Sequence, residues 1–133
     1  MTTLPEKLSL LQEMICFAVI DGKIHDREYG FIILVANELG VDKLEIKRLF
    51  QNEIKPTILV SEFDRIQQFY RLALLMYVDG ILHIKEDNAL HEIGIKMGLD
   101  PTAMKQILKM MKQNKNCVID GEILIKTFAV QNN

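Results

Sequence analysis

The sequence predicts an all-α fold: a single-domain bundle of about seven helices, built from an internal duplication, with two central buried helices related by a pseudo-twofold axis. Three observations predict it. Apolar residues recur at the three- and four-residue spacing of one helical face along most of the 133 residues. Two runs, residues 14–20 and 72–78, are apolar at all seven positions, and a helix that is apolar all round must be covered all round. The chain also aligns with itself, without gaps, at an offset of 58 residues. The identical pairs are Asp21/Asp79, Gly22/Gly80, His25/His83, Glu28/Glu86, Gly40/Gly98, Asp42/Asp100 and Lys47/Lys105. Around them apolar falls on apolar, as in Ile15/Ala73, Val35/Ile93 and Leu49/Ile107.

The first helix opens at Thr3-Leu4-Pro5-Glu6, a capping box with proline in the first turn, where its missing N–H costs nothing. Leu4, Leu8, Leu11, Ile15 and Ala18 form its apolar face, and Gly22 ends it by taking the left-handed conformation past the last turn. A second helix covers about 26–39 and stops at Gly40. Asp42-Lys43-Leu44-Glu45 is another capping box and opens a third, to about Asn52. Pro56 marks a connector over 54–60. Ser61-Glu62-Phe63-Asp64 caps the fourth helix, which Gly80 ends; the fifth spans about 84–97 and ends at Gly98; Asp100-Pro101 starts the sixth, to about Gln113. Asp120 caps a short last helix over about 121–130, although the alternation across 118–128 also permits a hairpin around Asp120-Gly121. The division is therefore repeat one 4–53, connector 54–60, repeat two 61–114 and a C-terminal segment 115–133. Burying each large side chain of the two apolar runs stabilises by about 1.5–3 kcal/mol, so a polar residue at Phe17 or Leu75 is expected to unfold the domain.

Composition narrows the function classes. At 49% apolar and 26% charged the chain is no disordered segment, and a net charge of −2 leaves no basic footprint for nucleic acid. No apolar run approaches the ~20 residues of a membrane span, so membrane insertion is not expected. Cys16 and Cys117, 101 positions apart, suggest neither a disulfide framework nor a metal knuckle; Cys16 is expected in the core, and the chain is expected in the cytoplasm. No nucleophile–base constellation or glycine-rich phosphate loop is present, and no enzymatic activity is expected. Gly30 and Gly94 stand inside helices and are expected to permit close helix contact. His91 has no partner identifiable by spacing. Lys105, Lys109 and Lys112 share one helical face, with Lys115 following; they form a solvated face opposite Ile107, Leu108 and Met111, or a surface for an anionic partner. Met97, Met104, Met110 and Met111 are expected as adaptable core filler.

The chemistry-bearing pattern is a doubled Asp-x3-His-x2-Glu: Asp21, His25, Glu28 and Asp79, His83, Glu86. It overlaps the second half of a calcium-binding EF-hand loop, but the positions that should supply the first oxygen ligands hold Phe17 and Val19, or Leu75 and Tyr77, which excludes that loop. A divalent-metal site remains open, since histidine with two carboxylates suits zinc, manganese or iron. So does a capping role. The turn between helices is three residues long, the next N-terminus carries four amide donors without partners, and His25 stands three residues before Glu28, as in a capping box. Asp21 could accept from the turn, with Ile24 and Leu82 packed inward.

The segment Ala18-Val19-Ile20-Asp21-Gly22-Lys23-Ile24, followed by Glu28 and Leu39-Gly40, resembles the Ala-Asp-Gly-x-Ile-x3-Glu signature of TerB-like domains, found in tellurite-resistance proteins and in a membrane-anchored DnaJ-like co-chaperone. Tyr70-Arg71-Leu72-Ala73 leading to Asp79-Gly80 and Glu86 is similar to the second half of such domains. The resemblance spans roughly residues 8–111. It implies a duplicated all-helical fold without enzymatic activity, a link to bacterial stress or tellurite response, and a metal held by acids at Asp21, Glu28, Asp79 and Glu86. His25 and His83 depart from the family, which more often has a small or acidic residue there. The expectation is a non-enzymatic TerB-like module that binds an unidentified protein partner and is open to self-association, or a divalent-metal binder using the six residues of the doubled pattern.

Overall fold

The computed structural model describes residues 3–20, 22, 24–51, 61–78, 84–114 and 117–131. Among them are seven helices and no strand: α1 (Leu4–Ala18), α2 (Asp26–Glu38), α3 (Lys43–Gln51), α4 (Glu62–Tyr77), α5 (Ile84–Lys96), α6 (Pro101–Gln113) and α7 (Gly121–Gln131). The last segment is thus helical, and the hairpin alternative is excluded. The expected connector, 54–60, lies outside the described residues.

The caps foreseen in the sequence are made. Thr3 Oγ1 accepts from the Glu6 N–H at 3.3 Å, Ser61 Oγ from the Asp64 N–H at 3.4 Å and Asp100 Oδ2 from the Ala103 N–H at 2.9 Å. Each supplies an acceptor to an amide that has no carbonyl within its helix. Asp42 and Asp120 accept two residues ahead, from the Leu44 and Glu122 amides at 3.1 and 3.0 Å. At their other ends α2 and α5 close in the same way, 58 residues apart. Gly40 and Gly98 lie at φ +74° and +80°. The Gly40 and Val41 amides donate to Asn37 and Ala36, and the Gly98 and Leu99 amides to Ile95 and Gly94, all at 2.9–3.1 Å. This is the paired 5→2 and 6→1 pattern that a left-handed glycine makes possible.

Packing places α1 and α4 in the middle. α1 packs on α2, α3 and α4, while α4 packs on α1, α2, α5 and α7. Leu11, Met14, Phe17 and Ala18 of α1 are buried, as are Phe69, Leu72, Ala73, Leu75 and Met76 of α4. The contact is not wholly apolar. Gln68 is buried between the two helices; its Nε2 donates to the Leu10 carbonyl at 3.0 Å and to Glu13 Oε1 at 2.9 Å, and its Oε1 accepts from Arg71 Nη1 at 3.4 Å. Leu10 and Gln68 are matching positions of the 58-residue offset, and so are Glu13 and Arg71.

Three expectations need correction. The 14–20 run is not surrounded: Cys16 is exposed, and Val19 and Ile20 are 39% and 41% exposed. α1 stops at Ala18, so the last two apolar residues fall in the turn beyond it, while the exposed Cys16 Sγ accepts from Gln12 Nε2 at 3.4 Å. Gly30 meets nothing, because a Cβ there would stand in open space. Gly94 alone makes the expected close approach: a Cβ there would run into the Met104 thioether and lie 3.4 Å from the Phe69 ring.

The two halves then diverge. In repeat two α6 packs against α5, and α7 against both α6 and α4. Phe128 of α7 is buried edge-on against Phe69, with ring centroids 6.2 Å apart. The approach to α7 is pinned by Tyr70, whose hydroxyl accepts from the Ile119 N–H at 2.7 Å and reaches the Cys117 carbonyl at 3.5 Å, past a left-handed Cys117 at φ +58°. In the first half α3 packs directly on α1 and meets α2 through the Tyr29–Phe50 ring pair.

Candidate functional site: a capped corner and an open groove

The sequence singled out two helix–helix corners. Of their six polar residues, Asp21, Asp79 and His83 lie outside the described residues. The other three are placed as a folded corner requires. His25 precedes α2 in extended conformation, φ −86° and ψ 155°, and is half-buried. Its N–H donates to Glu28 Oε1 at 3.1 Å, the carboxylate arm of a capping box. Glu28 is 1% exposed and Glu86 is equally buried at the matching place in α5. Both sit in the first turn of their helices, where the amide dipoles favour a negative charge. Glu28 Oε2 has no hydrogen-bond partner among the described residues. Ile24 packs against the core as expected; Leu82 lies outside the described residues. Among the described residues no group of three or more His, Cys, Asp or Glu side chains is gathered tightly enough to hold a metal ion.

The other expectations are met in simpler ways. Lys105, Lys109 and Lys112 are exposed opposite the buried Ile107, Leu108 and Met111, while Lys115 lies outside the described residues. Met104 and Met111 are buried, and Met97 and Met110 partly so. The His91 Nδ1 stands 2.9 Å from the Asp87 carbonyl within α5.

The structure adds a feature that was not foreseen. Because α3 leans on α1, a groove of about 620 Å³ opens between α2 and α3. Ile24, Tyr29, Ile33, Ile46 and Phe50 line it, and Lys43 and Lys47 complete the lining. The Tyr29 and Phe50 rings pack against each other in its lining, centroids 5.2 Å apart and tilted by 44°, with Tyr29 46% exposed. A second, smaller groove of about 520 Å³ lies between α4 and α7, lined by Phe63, Leu124 and Ile125 beside Glu122 and Lys126. Comparison of the chain with protein-family models, curated proteins and solved structures gave no match.

No local pattern in the sequence marks the α2–α3 groove, although the two halves differ in residues at matching positions. Ala36 occupies in α2 the place that Gly94 occupies in α5, and Ile46 stands where Met104 stands in α6.

Proposed function

We propose that this chain is a non-enzymatic, TerB-like helical module that works by binding another protein, in the bacterial stress response that the resemblance implies. The α2–α3 groove carries the proposal. It is concave and lined by apolar and aromatic side chains with two cations. At the first corner Glu28 closes the first turn of α2 on the His25 amide, a bond that folding alone requires. No helix among the described residues is long and apolar enough to cross a membrane, which suits a module that meets its partner in the cytoplasm. The test is to place the full chain in its host with Tyr29→Ala or Ile33→Asp and compare the proteins that co-purify with it. Loss of a defined partner while the melting temperature holds supports the proposal; an unchanged set of partners refutes it.

One observation favours a second reading, a divalent-metal protein of tellurite or metal resistance. Glu28 Oε2 is buried without a partner among the described residues, beside His25, and a metal ion would supply one. A ligand that binds only the native state raises its stability. Zinc, manganese or calcium would therefore raise the melting temperature, a chelator would reverse the gain, and Glu28→Gln would abolish it. If the corner is only a cap, none of the metals shifts the melt.

A further inference from the structure

We infer that the α2–α3 groove receives an amphipathic helix of the partner protein, with its apolar row between Ile33 and Phe50 and carboxylates on the side of α3. The inference rests on the partner-binding proposal and names the partner's chemistry.

Two features of the groove support it. The first is charge. Of the seven lining residues Lys43 and Lys47 are the only charged ones, both are exposed, and among the described residues neither has a carboxylate partner. The neighbouring acid of α3 is already engaged: Glu45 pairs with Arg48 at 3.6 Å. An apolar floor edged by two unpaired ammonium groups favours an apolar ligand carrying negative charge and repels a basic one. The second is spacing. Lys43 and Lys47 lie one helical turn apart, the separation of two carboxylates at i and i+4 on a facing helix. The rest of the fold covers helix faces of this kind with helices: α6 closes on α5, and α7 lays Phe128 against Phe69. An amphipathic helix docking its apolar face into a groove is a common mode of peptide recognition.

The experiment replaces Tyr29, at the mouth of the groove, with the photo-crosslinking residue p-benzoylphenylalanine in the full chain expressed in its host, and sequences the adducts by mass spectrometry. The expected adduct joins a segment with apolar residues at i, i+3 or i+4 and i+7, with Asp or Glu beside them. Its yield falls roughly tenfold or more in Lys43→Glu/Lys47→Glu, because like charges then face each other, while the melting temperature is unchanged. A protein adduct without flanking acids, or one indifferent to the charge reversal, overturns this inference and leaves the partner-binding proposal standing. An adduct to a second copy, to another part of the same chain or to a small amphiphile also overturns it. No adduct at all overturns both.

Discussion

The two halves of the bundle share a backbone plan and finish it differently. α2 and α5 span matching residues, 26–38 and 84–96, and end in the same glycine turn. Yet α6 closes on α5 whereas α3 leans on α1. The halves also differ in a few side chains at matching positions. Gly94 admits Met104, and Phe128 of α7 fills the space beside Phe69; in the first half Ala36 and Ile46 stand at the corresponding positions and the groove stays open. Matching caps and glycine stops therefore fix where helices begin and end without fixing how closely the next helix packs. The closed half serves stability, and the open half presents a surface.

The largest expected effect tests the centre that both halves share. Phe17 is 2% exposed and Cys16, its neighbour, faces solvent. Phe17→Lys places an unpaired charge in the core and should abolish cooperative melting. Cys16→Lys should cost about 1 kcal/mol or less, the value of one weak hydrogen bond. Equal losses for the two would mean that α1 is covered on every side. Next comes the closed half. Phe128→Ala removes the ring that holds α7 on α4 and should cost about 3–5 kcal/mol, with α7 becoming the first site of limited proteolysis. Open-half changes of exposed lining, such as Tyr29→Ala, should cost far less in thermal melts.

The sequence made the elements legible because their signals are local. Thr3, Ser61, Asp100 and Asp120 cap where they were expected to cap, and Gly40 and Gly98 stop helices where they were expected to stop them. The two central helices followed from their apolar runs, but the wetting of Cys16, Val19 and Ile20 did not, since a run of apolar residues does not say where the partner helix ends. Buried Gln68 was also hidden: its hydrogen bonds to Leu10 and Glu13 depend on a crossing that no local pattern encodes. At the corner, the cap from Glu28 was legible from its spacing to His25. The groove was not, because it is set by a helix that fails to close.

A graded test converts one half toward the other. Gly94→Val forces a branched side chain against Met104 and Phe69 and should destabilise by about 1–3 kcal/mol, the usual cost of overpacking. Ala36→Gly removes a buried methyl and loosens α2, costing about 1 kcal/mol from helix propensity alone. Pairing Ala36→Gly with Ile46→Met sharpens the comparison further. If Gly94 and Met104 are what close the second half, the double variant should recover part of the loss as α3 approaches α2, seen as positive coupling in a double-mutant cycle. Strict additivity would place the cause of the open groove elsewhere.

The smallest effect concerns the α1–α4 contact, where two opposite charges, Glu13 and Arg71, are joined through the Gln68 amide. Burial pushes the Glu13 carboxyl above its ordinary value of 4.5, and the hydrogen bond from Gln68 opposes the shift without cancelling it. Burial likewise lowers Arg71, with the Asp64 charge opposing. The native state therefore holds the Glu13 proton more tightly than the unfolded chain does. The stability that this contributes is fully present below the ordinary carboxylate pKa and is lost as pH rises through the higher native value. Glu13→Gln keeps an acceptor for Gln68 Nε2 and removes a half-buried charge. It should melt slightly above the wild type near pH 7, and the gap should close as the pH is lowered toward about 4, where wild-type Glu13 is itself protonated in the fold. A gap of the opposite sign at neutral pH would mean that the carboxylate's attraction to the Gln68–Arg71 side of the contact outweighs the cost of burying it.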